Sequence, residues 1–171
     1  VGGVNFYQRR EIKDILAYLK TIANAADDLA VQRILNVPKR GIGAATVSAV
    51  SSFAAERDLS FYEALREAPA SGIAGRSSEK IQRFLNLIAA FRRESEKLSL
   101  AELIRFVLEK SGYQEALKEE GELEAEARLE NIEELISKAV DFERDLSDVS
   151  DRTEEGLPAD LPLLDRFLEE V

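Results

Sequence analysis

Apolar residues recur at intervals of three and four along most of this chain, and no convincing pair of alternating strand segments is found. That spacing puts them on one side of a helix and leaves little to build a sheet from. Ile12, Ile15, Leu16, Leu19 and Ile22 make the clearest stripe, in a helix predicted from Gln8 to about Ala23. Shorter helices are predicted over Leu29–Asn36 and Ala45–Glu56, the second with Val47, Val50, Phe53 and Ala54 inward. Ser60-Phe61-Tyr62-Glu63 reads as a capping box opening another short helix, which Pro69 is expected to end. A long helix follows from Ser77 to about Lys97, with Ile81, Phe84, Leu85, Ile88 and Phe91 on one face. Ser99-Leu100-Ala101-Glu102 is a second capping box, leading a helix to Lys110. Helices over Gln114–Lys118 and Glu122–Phe142 come next, the latter with Leu123, Ala127, Leu129, Ile132, Leu135, Ile136 and Val140 buried. Leu161–Val171 closes the chain. The expected class is all-α, an irregular bundle of about eight helices with helix–hairpin–helix-like turns.

The organisation read from these signals is an extended segment over 1–7, a helical body over 8–146, a polar mobile loop over 147–159 and a terminal helix within 160–171. Cys, His, Met and Trp are all absent from the 171 residues. Thiol chemistry, disulfides, Cys/His metal sites and any His-dependent triad are therefore excluded. No apolar run is long enough to span a membrane, and no signal-peptide pattern opens the chain. The opening Val1-Gly2-Gly3, without Met, leads to the expectation of a piece of a longer protein.

Charge is unevenly placed. The net charge is −10, but residues 1–100 carry 15 Lys+Arg against 11 Asp+Glu, while residues 101–171 carry 8 against 22. An acidic total thus hides a basic half, in which a local site for an anion is affordable. The acidic half reads as solvated helix faces, or as a surface that docks a basic partner.

The segment with most chemistry in it is Val37-Pro38-Lys39-Arg40-Gly41-Ile42-Gly43, between two helices. Gly41 and Gly43 permit backbone shapes that a side chain would obstruct, and allow a phosphate close approach. Ile42 is placed to plug inward. The amides of Gly43, Ala44 and Ala45 then lie at a helix start, where they point outward and the helix dipole favours an anion. Lys39 and Arg40 add positive charge. This is the logic of a contact to a nucleic-acid backbone, indifferent to base sequence. An ordinary glycine-containing connector is the other reading. Ser71-Gly72-Ile73-Ala74-Gly75-Arg76 is a second turn of the same kind, with Ser77, Ser78 and Lys80 behind it. Together the two turns could grip successive phosphates, or the second could be a plain connector. The run of glutamates from Glu119 to Glu126 alternates around a helix start, which suits dipole compensation and not a metal or an acid/base pair. No phosphate-binding Gly-x-x-x-x-Gly-Lys-Ser/Thr loop and no Gly-x-Ser-x-Gly elbow occurs, so neither catalytic nor metal-ligating residues are assigned. Tyr7, Tyr18, Tyr62 and Tyr113 read as packing residues.

Gly2 to Lys20 resembles the GG-x-x-FY-x-R-x-EIKD-x-LAYL-R/K stretch of superfamily 1 DNA helicases of the UvrD/PcrA/Rep type. Arg33 to Gly43 resembles their R-I-x-N-x-P-x-R-GIG segment, and Lys110-Ser111-Gly112-Tyr113 and Ala127 to Leu135 match in order and spacing. Within that family the chain resembles the PcrA branch, of Gram-positive type. The resemblance implies a 2B subdomain, a helical insertion in the second motor domain. It implies that the parent is an ATP-dependent 3′–5′ helicase using ATP and Mg, cytoplasmic, with no cofactor and no enzymatic activity in this part alone. It also implies that Lys39, Arg40, Gly41, Ile42 and Gly43 meet double-stranded DNA at a fork or junction, with Thr46 beside them and Gly72, Gly75 and Arg76 in a second loop whose spacing departs from the family's. Arg9, Glu11 and Lys13 would couple the insertion to the motor domains. Regulatory proteins are further expected partners, a membrane is not, and the insertion would swing as a rigid body. An acidic helical module that regulates the helicase by docking proteins is the alternative. An insertion also requires its two ends to come back together.

Overall fold

The computed structural model describes residues 4–152 and 163–171. Among them are ten α-helices, one 3-10 turn and no strand, in agreement with the all-α expectation. The helices are α1 (Val4–Tyr7), α2 (Arg10–Ala23), α3 (Asp28–Ile34), α4 (Ala44–Arg57), α5 (Phe61–Ser71), α6 (Ser78–Ser95), α7 (Leu100–Lys110), α8 (Tyr113–Glu119), α9 (Glu122–Arg152) and α10 (Leu163–Glu170), with the 3-10 turn at Gly75–Ser77.

The organising element is α2. It packs against α3, α6, α7, α9 and α10. A helix surrounded in this way cannot keep a polar face, and Glu11, Asp14 and Thr21 are buried beside the predicted stripe of Ile12, Ile15, Leu16, Leu19 and Ile22. Each buried polar group has a partner. The Thr21 hydroxyl donates to Ala17 O at 2.9 Å, and the Asp14 carboxylate accepts from Arg33 Nε at 3.0 Å and from the Tyr113 hydroxyl at 2.6 Å. Asp14 thereby ties α2 to α3 and α8. Tyr18, Tyr62 and Tyr113 are buried, as packing residues should be.

The local signals explain most helix ends. Ser99 and Glu102 form the full reciprocal capping box that opens α7. Ser60 accepts from Glu63 N at 3.1 Å, which supplies one half of the expected box at the start of α5. Asp27 accepts from Ala30 N at the start of α3.

Four expectations need correction. Val4–Tyr7 is a helical turn, not extended, with Phe6 buried in the core and holding it down; residues 1–3 lie outside the described residues. Pro69 lies inside the last turn of α5 and does not end it. The chain runs two residues further, until Gly72 takes the left-handed conformation (φ 81°). Pro69 forgoes the one intrahelical bond that an N–H there would donate to the carbonyl of Leu65, and only two residues of helix follow it. The loop expected over 147–159 is helical through Arg152, because α9 continues; residues 153–162 lie outside the described residues. Finally, α9 turns a different face inward at its ends than its spacing suggested. Ala125, Ile132, Leu135, Ile136 and Ala139 are buried, whereas Leu123, Ala127 and Val140 are exposed.

Candidate nucleic-acid interface

The Pro-Lys-Arg-Gly-Ile-Gly segment is the bend between α3 and α4. It is built from beneath. Ile42 is buried, as its apolar side chain demands, and its backbone is held by one residue: Asn36 Nδ2 donates to Ile42 O at 2.8 Å while Ile42 N donates to Asn36 Oδ1 at 3.0 Å. Sequence reasoning missed Asn36. Its signal was an amide six residues before a carbonyl and an N–H that nothing else in the bend could satisfy.

Gly41 has φ 77°, a conformation that disfavours any side chain. Gly43 does not, with φ −69°, and a Cβ there would meet nothing within 4 Å. The expectation that both glycines serve backbone shape is thus corrected. What Gly43 leaves is open space at the start of α4, where Gly43, Ala44 and Ala45 are all exposed and no side chain caps the helix. The free amides there retain their donors for an outside acceptor.

The two expected cations part company. Lys39 is exposed and forms no ion pair among the described residues. Arg40 points inward. Its Nη1 donates to Ile34 O at 2.5 Å and Leu35 O at 3.0 Å, with Val37 O at 3.4 Å, and its Nη2 donates to the Tyr18 hydroxyl at 2.6 Å. Its guanidinium lies 5.3 Å from the Phe84 ring centre and 6.0 Å from that of Tyr18. The Tyr18 hydroxyl passes its own hydrogen to Val37 O. Burial raises the Tyr18 phenol above its ordinary value, more than the neighbouring Arg40 lowers it, so the phenol stays a neutral donor.

The two glycine-containing turns are neighbours. The Thr46 and Ser77 hydroxyls are 3.3 Å apart, so the first turn of α4 touches the turn that opens α6. From α6, Lys80 reaches across and its ammonium donates to Gly41 O at 3.2 Å. Gly72, Gly75 and Arg76 are exposed on the second turn. The outward set is therefore Lys39, Gly41, Gly43, Gly75, Arg76 and Lys80, with Gly72 at the end of α5, while Thr46 is half-buried against Ser77. The inward set is Arg40 and Ile42.

The whole chain, residues 1–171, matches the UvrD-like helicase C-terminal domain. The chain belongs to that family. Within it, this UvrD-like domain is 45% identical over 143 residues to the ATP-dependent DNA helicase PcrA of Staphylococcus aureus (strain Mu50 / ATCC 700699), covering 84% of this chain and 20% of that protein. It is 40% identical over 173 residues to the ATP-dependent DNA helicase PcrA of Bacillus subtilis (strain 168), covering 99% of this chain and 23% of the relative. The UvrD-like domain thus spans about a fifth of the length of these relatives.

Arg9, Glu11 and Lys13, expected at a junction with motor domains, lie at the start of α2. Two of them face this domain's own α9. The buried Glu11 carboxylate accepts from Asn131 Nδ2 at 2.8 Å, and Arg9 donates to Asn131 Oδ1. Lys13 is half-buried. Near both described ends, Tyr7 and Val171 line one groove of about 400 Å³ with Phe142 and Phe167. A larger groove of about 840 Å³ lies between α2, α5, α6, α7 and α10 and contains none of the DNA-contact or coupling residues expected from sequence. Among the described residues no group of acidic side chains is arranged to hold a metal ion, and no helix is long and apolar enough to cross a membrane.

Proposed function

We propose that this chain is the 2B subdomain of an ATP-dependent 3′–5′ DNA helicase, and that it holds double-stranded DNA at a fork or junction by its phosphate backbone. The observation that carries the reading is the start of α4: exposed, uncapped, built from Gly43, Ala44 and Ala45, and flanked by the Lys39 and Lys80 side chains. Free amides aimed outward, a helix dipole and mobile ammonium groups together recognise a phosphodiester and ignore the base. The adjacent turn, with Gly72, Gly75 and Arg76, supplies a second contact one step along the strand. The names of the relatives, ATP-dependent DNA helicases, support a parent that couples ATP to DNA unwinding; Mg as its ion and the cytoplasm as its place belong to the same proposal. The motor domains of the same polypeptide are then the first partners of this part; Arg9 and Glu11 brace the α2–α9 seam next to them, and Lys13 is left for the coupling itself. The meeting of Tyr7 and Val171 in one groove suits an insertion, whose ends must rejoin one host.

The test is salt-titrated binding of this chain to duplex and to single-stranded DNA. Duplex is expected to bind more tightly, weakly overall for a chain of net charge −10, with affinity falling linearly in log–log form as salt rises. Lys39→Glu should weaken it several-fold. Equal binding to both forms, or an unchanged Lys39→Glu variant, overturns the proposal.

One observation favours the acidic-module reading. Leu123 is 84% exposed between Glu122 and Glu124 at the start of α9. A basic partner with an apolar contact would fit there, and Leu123→Asp would abolish its binding while leaving duplex affinity unchanged.

A further inference from the structure

We infer that the second phosphate-facing cation of the bend is Lys80 and not Arg40, whose part is to hold the bend in shape from within. The inference rests on the duplex-binding reading for Lys80. For Arg40 it stands on the hydrogen bonds alone.

A guanidinium has five N–H donors in a fixed plane. Those of Arg40 are directed at three carbonyls around the end of α3 and at the Tyr18 hydroxyl, and the plane lies near two aromatic rings. The last carbonyls of a helix have no partner within it, so α3 ends on this side chain in place of a glycine cap. An outside phosphate would have to take donors away from those carbonyls: Ile34 O would keep the Val37 N–H and Val37 O the Tyr18 hydroxyl, but Leu35 O would lose the donor that satisfies it. A lysine cannot take over, because one ammonium has no planar fork with which to reach four acceptors.

Lys80 has the opposite disposition. It is exposed, its ammonium makes one hydrogen bond to the Gly41 carbonyl, and it pairs with no carboxylate among the described residues. Two of its three protons remain for an anion. Gly41 makes room for it: a Cβ at 41 would come within 3.1 Å of Lys80 Nζ. The side chain arrives from α6, so the positive charge beside the start of α4 is assembled from two elements distant in sequence. A motif reading of residues 37–43 cannot contain it.

The experiment measures duplex affinity against salt, and thermal unfolding, for the wild-type chain and for Lys39→Ala, Lys80→Ala, Arg40→Lys and Arg40→Ala. Lys80→Ala and Lys39→Ala should each lower the log–log salt slope by about 0.9, a loss of about three- to fourfold in affinity at the low-salt end of a fourfold salt range, with melting unchanged. Arg40→Lys should melt well below wild type, close to Arg40→Ala, and keep the wild-type salt slope at a temperature where it is folded. If Arg40→Lys melts like wild type while Arg40→Ala loses slope, Arg40 is a phosphate contact and the inference is overturned. If Lys80→Ala alone leaves the slope unchanged, Lys80 is not a contact, although the duplex reading survives on Lys39. If wild type shows no salt-dependent duplex binding, that reading falls and Lys80's role falls with it, while the melting of Arg40→Lys still decides the clamp.

Discussion

Asp14 is a charged residue 4% exposed, and it survives there because two donors reach it. Breaking that arrangement leaves the Tyr113 hydroxyl without an acceptor in the core. Asp14→Ala should cost about 3 kcal/mol in urea unfolding, the scale for hydrogen bonds to a buried charge. The same contact gives a signature in alkali. Burial, the hydrogen bond to Asp14 and the charge of Asp14 all raise the Tyr113 phenol, so the folded chain holds that proton more tightly than the unfolded one. Its contribution is complete below about pH 10, the ordinary tyrosine value, and is lost progressively as pH climbs above it. Tyr7, Tyr18 and Tyr62 are raised as well and add to the same fall. Melting temperature followed from about pH 8 to about pH 12 should decline in wild type above about pH 10 and decline less steeply in Tyr113→Phe. Residue types made Tyr113 legible as a packing residue and Ile42 as a plug. They could not tell Lys39 from Arg40, because sequence records a charge and not the direction in which it points. Direction came from where α3 leaves its carbonyls.

Among the elements, α2 shows what periodicity can and cannot say. Its five-residue apolar stripe was readable, yet a stripe predicts a surface helix with one wet side, and α2 is enclosed by neighbouring helices on nearly every side. The difference lies in contacts far apart in sequence, such as Asp14 with Tyr113 at a separation of 99 residues. α9 failed in the complementary way. Its middle was read correctly, but Leu123 and Val140 fit the helical spacing and yet are exposed among the described residues. α2 also spans two working regions. Glu11 meets α9, and Tyr18, seven residues and about 10 Å further along the axis, meets the bend. Two element-scale predictions follow the energetics. Ser99→Ala removes the side-chain half of a complete capping box and should cost about 1 kcal/mol. Ile132→Ala empties a fully buried site on α9 and should cost about 2–5 kcal/mol, while Leu123→Ala on the same helix should be close to neutral; chemical denaturation compares the three.

For the molecule as a whole, the separation of basic and acidic halves was visible at once, and so was the helical class. The closeness of the chain ends is an expectation drawn from insertion alone; residues 1–3 lie outside the described residues, and what the structure gives is Tyr7 and Val171 lining one groove. It can be put to use. A circular permutant that joins the ends through a short Gly/Ser linker and opens the chain at the exposed Gly121 should keep its helical circular dichroism and one cooperative thermal transition. Loss of cooperativity would mean that α8 and α9 depend on their covalent link. If this part is an insertion as proposed, with both ends leaving beside the Tyr7–Val171 groove, it would hang like a door on one jamb. Its bearing would then change while every clasp inside it stays fastened, so that how it is turned and how it is shaped would be independent variables.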